Sequence, residues 1–257
     1  MSQLTTFAYV QTRLHARHGN RPDARTWQRL DTYKELAGYL QNARRTVLRP
    51  WVLGFHEHDD YHALESNLIK QFRFYIDEVA HWQPQQWKEA VFWVKQLPDL
   101  PALQYLLTGN TAQTWMLDES RLKLFSTTNL EQRFEYMTQS VYAPLIQAWQ
   151  SGITLPDAWV QHWQSLWGEQ NITNTQPLLE LIALLNQHLN LFRQSALLHT
   201  WQARQILNNQ LTRMFRKYTF QPVASFIHLA LVALDVERLR GDIMQRSLFV
   251  SFREAGT

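Results

Sequence analysis

Hydrophobic and polar positions follow a helical period along most of this chain. The longest such segment runs from Pro222 to Phe249, PVASFIHLALVALDVERLRGDIMQRSLF. Its first half is apolar nearly all round, through Val223, Phe226, Ile227, Leu229, Leu231, Val232 and Leu234. A helix of that kind needs cover on every side. His228 interrupts the run, which is shorter than the roughly 20 apolar residues of a bilayer crossing, so the pattern predicts a central core helix with Pro222 at its first turn. Beyond Leu234 the pattern turns amphipathic, with Asp235, Glu237, Arg238, Arg240, Asp242 and Arg246 set against Val236, Leu239, Ile243 and Leu248. One end reads as core and the other as a surface that meets something.

In chain order, Leu4, Phe7, Tyr9, Val10, Leu14 and His18 predict a first helix that Gly19 closes. Pro22 then breaks the spacing, so the arginines at every fourth position from Arg13 to Arg29 fall on at least two pieces. Thr32 and Glu35, at capping-box spacing, predict the start of a helix carrying Leu36, Leu40 and Val47 that Pro50 ends. Leu64, Leu68, Ile69, Phe72, Tyr75, Ile76 and Val79 line one face of the next helix, with Asp59 or Asp60 as its cap. Further helices are predicted to run through Trp87 to Val94, through Leu107 to a stop at Gly109, from Asp118, from the Thr128/Glu131 pair, and from Thr154 to Asp157 into Trp159, Trp163 and Trp167. Gly168 to Thr175 is polar and weakly periodic. It marks a boundary between an N-terminal helical lobe, 1–168, and a C-terminal lobe, 169–257, that closes on the first helix, the two together also fitting one continuous domain. Leu178 to Tyr218 predicts two more amphipathic helices, one carrying Leu181, Leu184, Leu185, Leu189 and Phe192, the other Trp201, Ile206, Leu211, Met214 and Phe215.

Composition sharpens the fold class to all-α. Eight Gly and nine Pro in 257 residues are too few for the turns of an all-β chain. Cysteine is absent, which excludes disulfides and thiolate metal sites and suggests an intracellular home, and the N-terminus lacks the pattern of a signal peptide. Between Arg13 and Arg49 nine basic residues face three acids, a local net of +6 in a chain of net +3. Such a basic end suits an anionic partner or, equally, a solvated helix face. Trp82, Trp87, Phe92 and Trp93 fall at helical spacing, where core packing competes with base stacking.

Candidate chemistry is sparse. His56, His58, Asp59 and His62 form the one cluster with metal-ligand residue types, but without a ligand motif such as His-Glu-x-x-His, and a polar loop is the competing reading. No Gly-rich phosphate loop, Gly-x-Ser-x-Gly elbow or cysteine nucleophile is present, and His81, His162, His188, His199 and His228 sit inside helical patterns as structural histidines. The residues support a helical protein that docks onto something, with no cofactor and no small-molecule substrate called for.

The opening Phe7-Ala8-Tyr9-Val10-Gln11-Thr12-Arg13-Leu14-His15-Ala16-Arg17 resembles the first helix of the C-subunit family of V-type ATPases, relatives of the eukaryotic d-subunit. Pro222 to Phe249 is similar to that family's last long helix, with Glu237, Leu239-Arg240 and Arg246 following the apolar run, and Glu65 to Leu107 has the family's layout of helix, turn and helix into Leu-x-x-Leu-Leu. Together these cover about half the chain. The resemblance implies an all-helical funnel, a multi-helix array of related helical units. It implies a non-catalytic protein on the cytoplasmic face of a membrane that seats the central rotor shaft on the proteolipid ring of a V-type ATPase and reaches the membrane only through those partners. Tyr9, Arg13 and Arg17 match the family's N-terminal motif, and Glu237, Arg238 and Arg240 its C-terminal one; both sets are the expected partner contacts. Two alternatives stand beside it: a helical adaptor, repurposed from that family, whose basic N-terminal region binds an anionic partner, with nucleic acid the less favoured ligand, and ties within the chain as the role of Glu237 and Arg240.

Overall fold

A computed structural model describes the backbone over residues 3–168, 171–194 and 200–254 and side chains over 7–168, 171–192 and 202–247. Every regular element among these residues is helical. In chain order they are α1 (Gln3–Gly19), α2 (Ala24–Asp31), α3 (Leu36–Ala43), α4 (Arg49–Val52), α5 (Tyr61–Trp82), α6 (Gln85–Trp93), α7 (Leu100–Leu107), α8 (Thr114–Asp118), α9 (Leu130–Thr138), α10 (Ala143–Gln150), α11 (Leu155–Ser165), α12 (Ile172–Gln194), α13 (Thr200–Lys217) and α14 (Val223–Glu254), with 3-10 turns at Val94–Asp99 and Lys123–Ser126. The side chains of Leu4, Trp201 and Leu248, and His199 entirely, lie outside the described residues.

The chain forms two compact units, residues 1–84 with 169–257, and residues 85–168. The two-lobe expectation drew the division differently. Its boundary near 168 coincides with a unit edge, but residues 1–84 join the C-terminal helices rather than the middle of the chain. The reason lies in α14, whose apolar first half needs partners on all sides. It packs on α1, α3, α5, α12 and α13, and residues 222–229 are buried without interruption. Further along α14, Leu239 and Ile243 join a cluster with Trp27, Leu30, Tyr39, Leu40, Leu64 and Leu68, so the amphipathic half is also a core element on one side. Arg246, buried beside Tyr39, donates to the carbonyls of Tyr33 and Asp242, and Tyr39 donates its hydroxyl proton to Asp242 at 3.0 Å.

Caps account for most differences from the expected boundaries. Asp23 starts α2 by accepting from the Thr26 amide at 2.8 Å. Thr32 serves the end of α2, donating its hydroxyl to the Arg29 carbonyl, so α3 begins only at Leu36 and stops at Ala43. Val47 therefore lies beyond α3, and Pro50 sits at the first turn of α4, where its missing N–H costs nothing. Asn129 rather than Thr128 caps α9, Asp118 ends α8 rather than opening a helix, and Thr154 caps α11 as its spacing predicts. Asp60 stands at the α5 N-cap without a side-chain bond to the helix.

The unit of residues 85–168 has its own core of Trp87, Trp93, Leu103, Leu106, Leu145, Ile146, Trp159 and Trp163. Arg133, 2% exposed, has no ion-pair partner among the described residues. Its guanidinium donates instead to the carbonyls of Leu106, Asn110 and Thr127 at 2.7–3.2 Å, the first of them at the negative end of the α7 dipole. Arg133→Met keeps the volume but removes the donors to those carbonyls, of which only that of Leu106 has a further amide, from Gly109, among the described bonds. It is expected to cost roughly 2–4 kcal/mol, read as a lower urea midpoint.

Candidate docking surface on α1 and α5

Tyr9, Arg13 and Arg17 recur at four-residue intervals and form one stripe on α1, along the flank of the buried Phe7, Val10 and Leu14. Their neighbour is α5. The Arg13 guanidinium lies 5.4 Å from the Tyr9 ring centroid and 5.9 Å from Trp82, and Arg17 lies 5.9 Å from Trp82 and 5.8 Å from Tyr75. Trp51 continues the row at 5.7 Å from Tyr75. The result is a ladder of alternating cations and rings, each step worth about 0.5–1 kcal/mol at exposed sites. Arg17 closes an ion pair with Glu78 at 3.1 Å, whereas Arg13 has no ion-pair partner among the described residues.

Beside the ladder opens a cleft of about 580 Å³, walled by Val47, Pro50, Trp51, Phe74, Tyr75 and Val232. Arg21 and Asp235 form its deepest ion pair, bidentate at 2.7 and 3.0 Å, and Arg21 also donates to Asn208 and to the Leu231 carbonyl. Burial pushes the Asp235 carboxyl up and Arg21 opposes that shift. Beneath lies a histidine pair. His18 stacks on Phe215 at 4.5 Å, and His228, fully buried, shares a 2.7 Å hydrogen bond with the Tyr75 hydroxyl. The Nδ1 atoms of both histidines are buried without a hydrogen-bond partner. Burial and the neighbouring arginines hold His18 down at about 4 and His228 at about 3, so both are neutral at pH 7, and burial raises the Tyr75 hydroxyl above its ordinary value.

The C-terminal set of expected contacts is engaged within the chain. Arg238 pairs with Asp31 at 3.0 Å and lies over the Trp27 ring, and Arg240 pairs with Glu65 at 2.7 Å and with Glu237 at 3.7 Å. These bonds tie α14 to α2 and α5. Of the nine cations between Arg13 and Arg49, Arg17, Arg21 and Arg44 also bond within the chain. Arg13, Arg25, Arg29, Lys34, Arg45 and Arg49 are exposed and stand beyond ion-pair distance of any described carboxylate.

The candidate metal cluster does not assemble. Asp59 turns back to accept the His56 amide at 2.7 Å, His58 reaches only Glu57 while 83% exposed, and His62 lies against the Tyr61 ring. Among the described residues no three His, Asp or Glu side chains stand together as a ligand set.

Sequence reasoning missed Arg21, Asp235, Tyr75, Trp51 and Trp82 as members of this surface. One signal was present: Asp235 is the first charge after a helix half that is buried all round, and a carboxylate there demands a cation. No family model, curated protein or solved structure matches this chain.

Proposed function

We propose that this protein is a non-catalytic coupling component of the kind found in the C-subunit family of V-type ATPases, linking a rotor shaft to a proteolipid ring. The observation that carries the reading is the meeting of the chain's ends. The two segments that resemble the family's terminal helices, α1 and α14, pack on each other and on α5, and the first of them presents Tyr9 and Arg13 outward. An exposed ring and an exposed arginine without an ion pair are residue types that anchor protein interfaces. Among the described residues no helix is long and apolar enough to cross a membrane, so in this reading the membrane is reached through partner chains.

The test is affinity isolation of the tagged full chain from gently solubilised native membranes, with Arg13→Glu alongside. Wild type is expected to bring down shaft and ring proteins, and Arg13→Glu to lower their recovery roughly tenfold, as reversal of an interface charge does. Equal recovery by both would remove Arg13 from the contacts.

A second reading is favoured by the six uncommitted cations between Arg13 and Arg49: a helical adaptor for an anionic partner. If that partner is nucleic acid, retention on it falls steeply with salt, since each phosphate contact releases counterions.

A further inference from the structure

We propose that the cleft beside Trp51 and Tyr75 is a docking groove for an acidic amphipathic segment of a partner protein. Such a segment would insert an apolar side chain between Val47 and Phe74 and set carboxylates against Arg13, Arg45 and Arg49. The proposal rests on the reading of this chain as a docking component and names the chemistry of one partner.

Three features carry it. The slot has an open apolar wall, with Phe74 63% exposed, Val47 43% exposed and Pro50 and Val232 adjoining, set among the polar Asn20, Thr46 and Gln71. An uncovered phenylalanine beside a valine is the kind of patch that marks an interaction site. Inside the slot the charges are already closed, because Arg17 is held by Glu78 and Arg21 by Asp235. The interior therefore offers no free cation to a phosphate, and a nucleic-acid strand would meet the carboxylate of Glu78.

Unpaired positive charge adjoins the lining residues in sequence. Thr46, Val47, Pro50 and Trp51 line the cleft, and between and beside them in sequence Arg45 and Arg49 are exposed without an ion pair among the described residues. On the opposite side Arg13 is one turn from Arg17 and shares the Trp82 ring with it. An exposed apolar wall with unpaired arginines close by in sequence complements an apolar anchor flanked by carboxylates. Its size falls within the roughly 300–1,000 Å³ of ordinary ligand clefts, enough for a short segment.

The experiment selects a display library of random 12-residue peptides on the full-length chain at low salt and measures the affinity of the synthetic consensus peptide. Enriched peptides are expected to carry Leu, Phe or Trp flanked by Asp or Glu. Phe74→Ala, at an exposed position that leaves the core intact, is expected to weaken the consensus peptide at least tenfold, the size of a lost hot-spot contact. The pair Arg45→Glu and Arg49→Glu is expected to weaken it about tenfold at low salt and far less at 0.5 M salt. A peptide with Lys in place of each acid is expected not to bind.

Enrichment of basic peptides, absence of enrichment, or binding indifferent to Phe74→Ala would overturn the proposal. So would a 20-nucleotide oligothymidylate that binds, is lost in the same variants and is not displaced by peptide. The two readings fail separately. Shaft and ring proteins recovered equally by wild type and Phe74→Ala, with no peptide bound, retire the groove alone. Peptide binding that persists when wild type recovers no such proteins retires the rotary assignment alone.

Discussion

Arg21→Ala is expected to destabilise the unit of residues 1–84 and 169–257 by roughly 3–5 kcal/mol, because it leaves a buried carboxylate without its partner. The side chains of Arg21 and Asp235 are only 13% and 15% exposed, and the pair joins the turn after α1 to the middle of α14. Removing the guanidinium also takes a donor from the Asn208 side chain and from the Leu231 carbonyl. For a chain of this length the fall in Tm should be on the order of 10 °C. Asp235→Leu added to Arg21→Ala removes the stranded charge and is expected to recover most of the loss, since apolar replacements of buried pairs are often neutral. A double variant no more stable than Arg21→Ala would show that the loss comes from the other bonds of Arg21.

Acidification should weaken the same unit through His228. Its folded value of about 3 lies below the ordinary histidine value of 6.5 because burial disfavours the cation. The unfolded chain therefore takes up a proton between those values and the folded chain does not. The stabilisation is fully present above pH 6.5 and is lost as pH falls towards 3. From pH 7.5 to pH 5.0 the loss from this one group is about 2 kcal/mol. His18, at about 4 and less deeply buried, shifts in the same direction and adds less. Urea unfolding at the two pH values should show this slope, and His228→Leu should flatten it by about 2 kcal/mol even though it forfeits the Tyr75 hydrogen bond. A slope unchanged in His228→Leu would place the acid sensitivity elsewhere.

The helical class and the central role of α14 were legible because both rest on periodicity, and burial of Val223 to Leu229 follows from an apolar run that no single face can cover. Helix starts were legible where a side chain caps its own turn, as Thr154 does, and illegible where two signals compete. Thr32 and Glu35 have capping-box spacing, yet the Thr32 hydroxyl bonds backwards to Arg29, a choice set by the α2 to α3 turn rather than by composition. The division into units was hidden because it depends on which distant helices cover α14. For the surface, Tyr9, Arg13 and Arg17 stand out in the sequence only through the resemblance of the opening segment to a family's first helix. Nothing in spacing reveals that Trp82 of α5 lies against both Arg13 and Arg17 and Tyr75 against Arg17, or that Arg238 and Arg240 find Asp31 and Glu65 across the fold. Long-range partners of long, flexible side chains are settled by packing.

We propose that this chain docks between a rotor shaft and a proteolipid ring. Native mass spectrometry of the tagged chain isolated from membranes tests it most directly. One copy of this chain with shaft and ring proteins in fixed stoichiometry is the predicted result. Isolation of the chain alone, or with partners unrelated to any rotary ATPase, would contradict it.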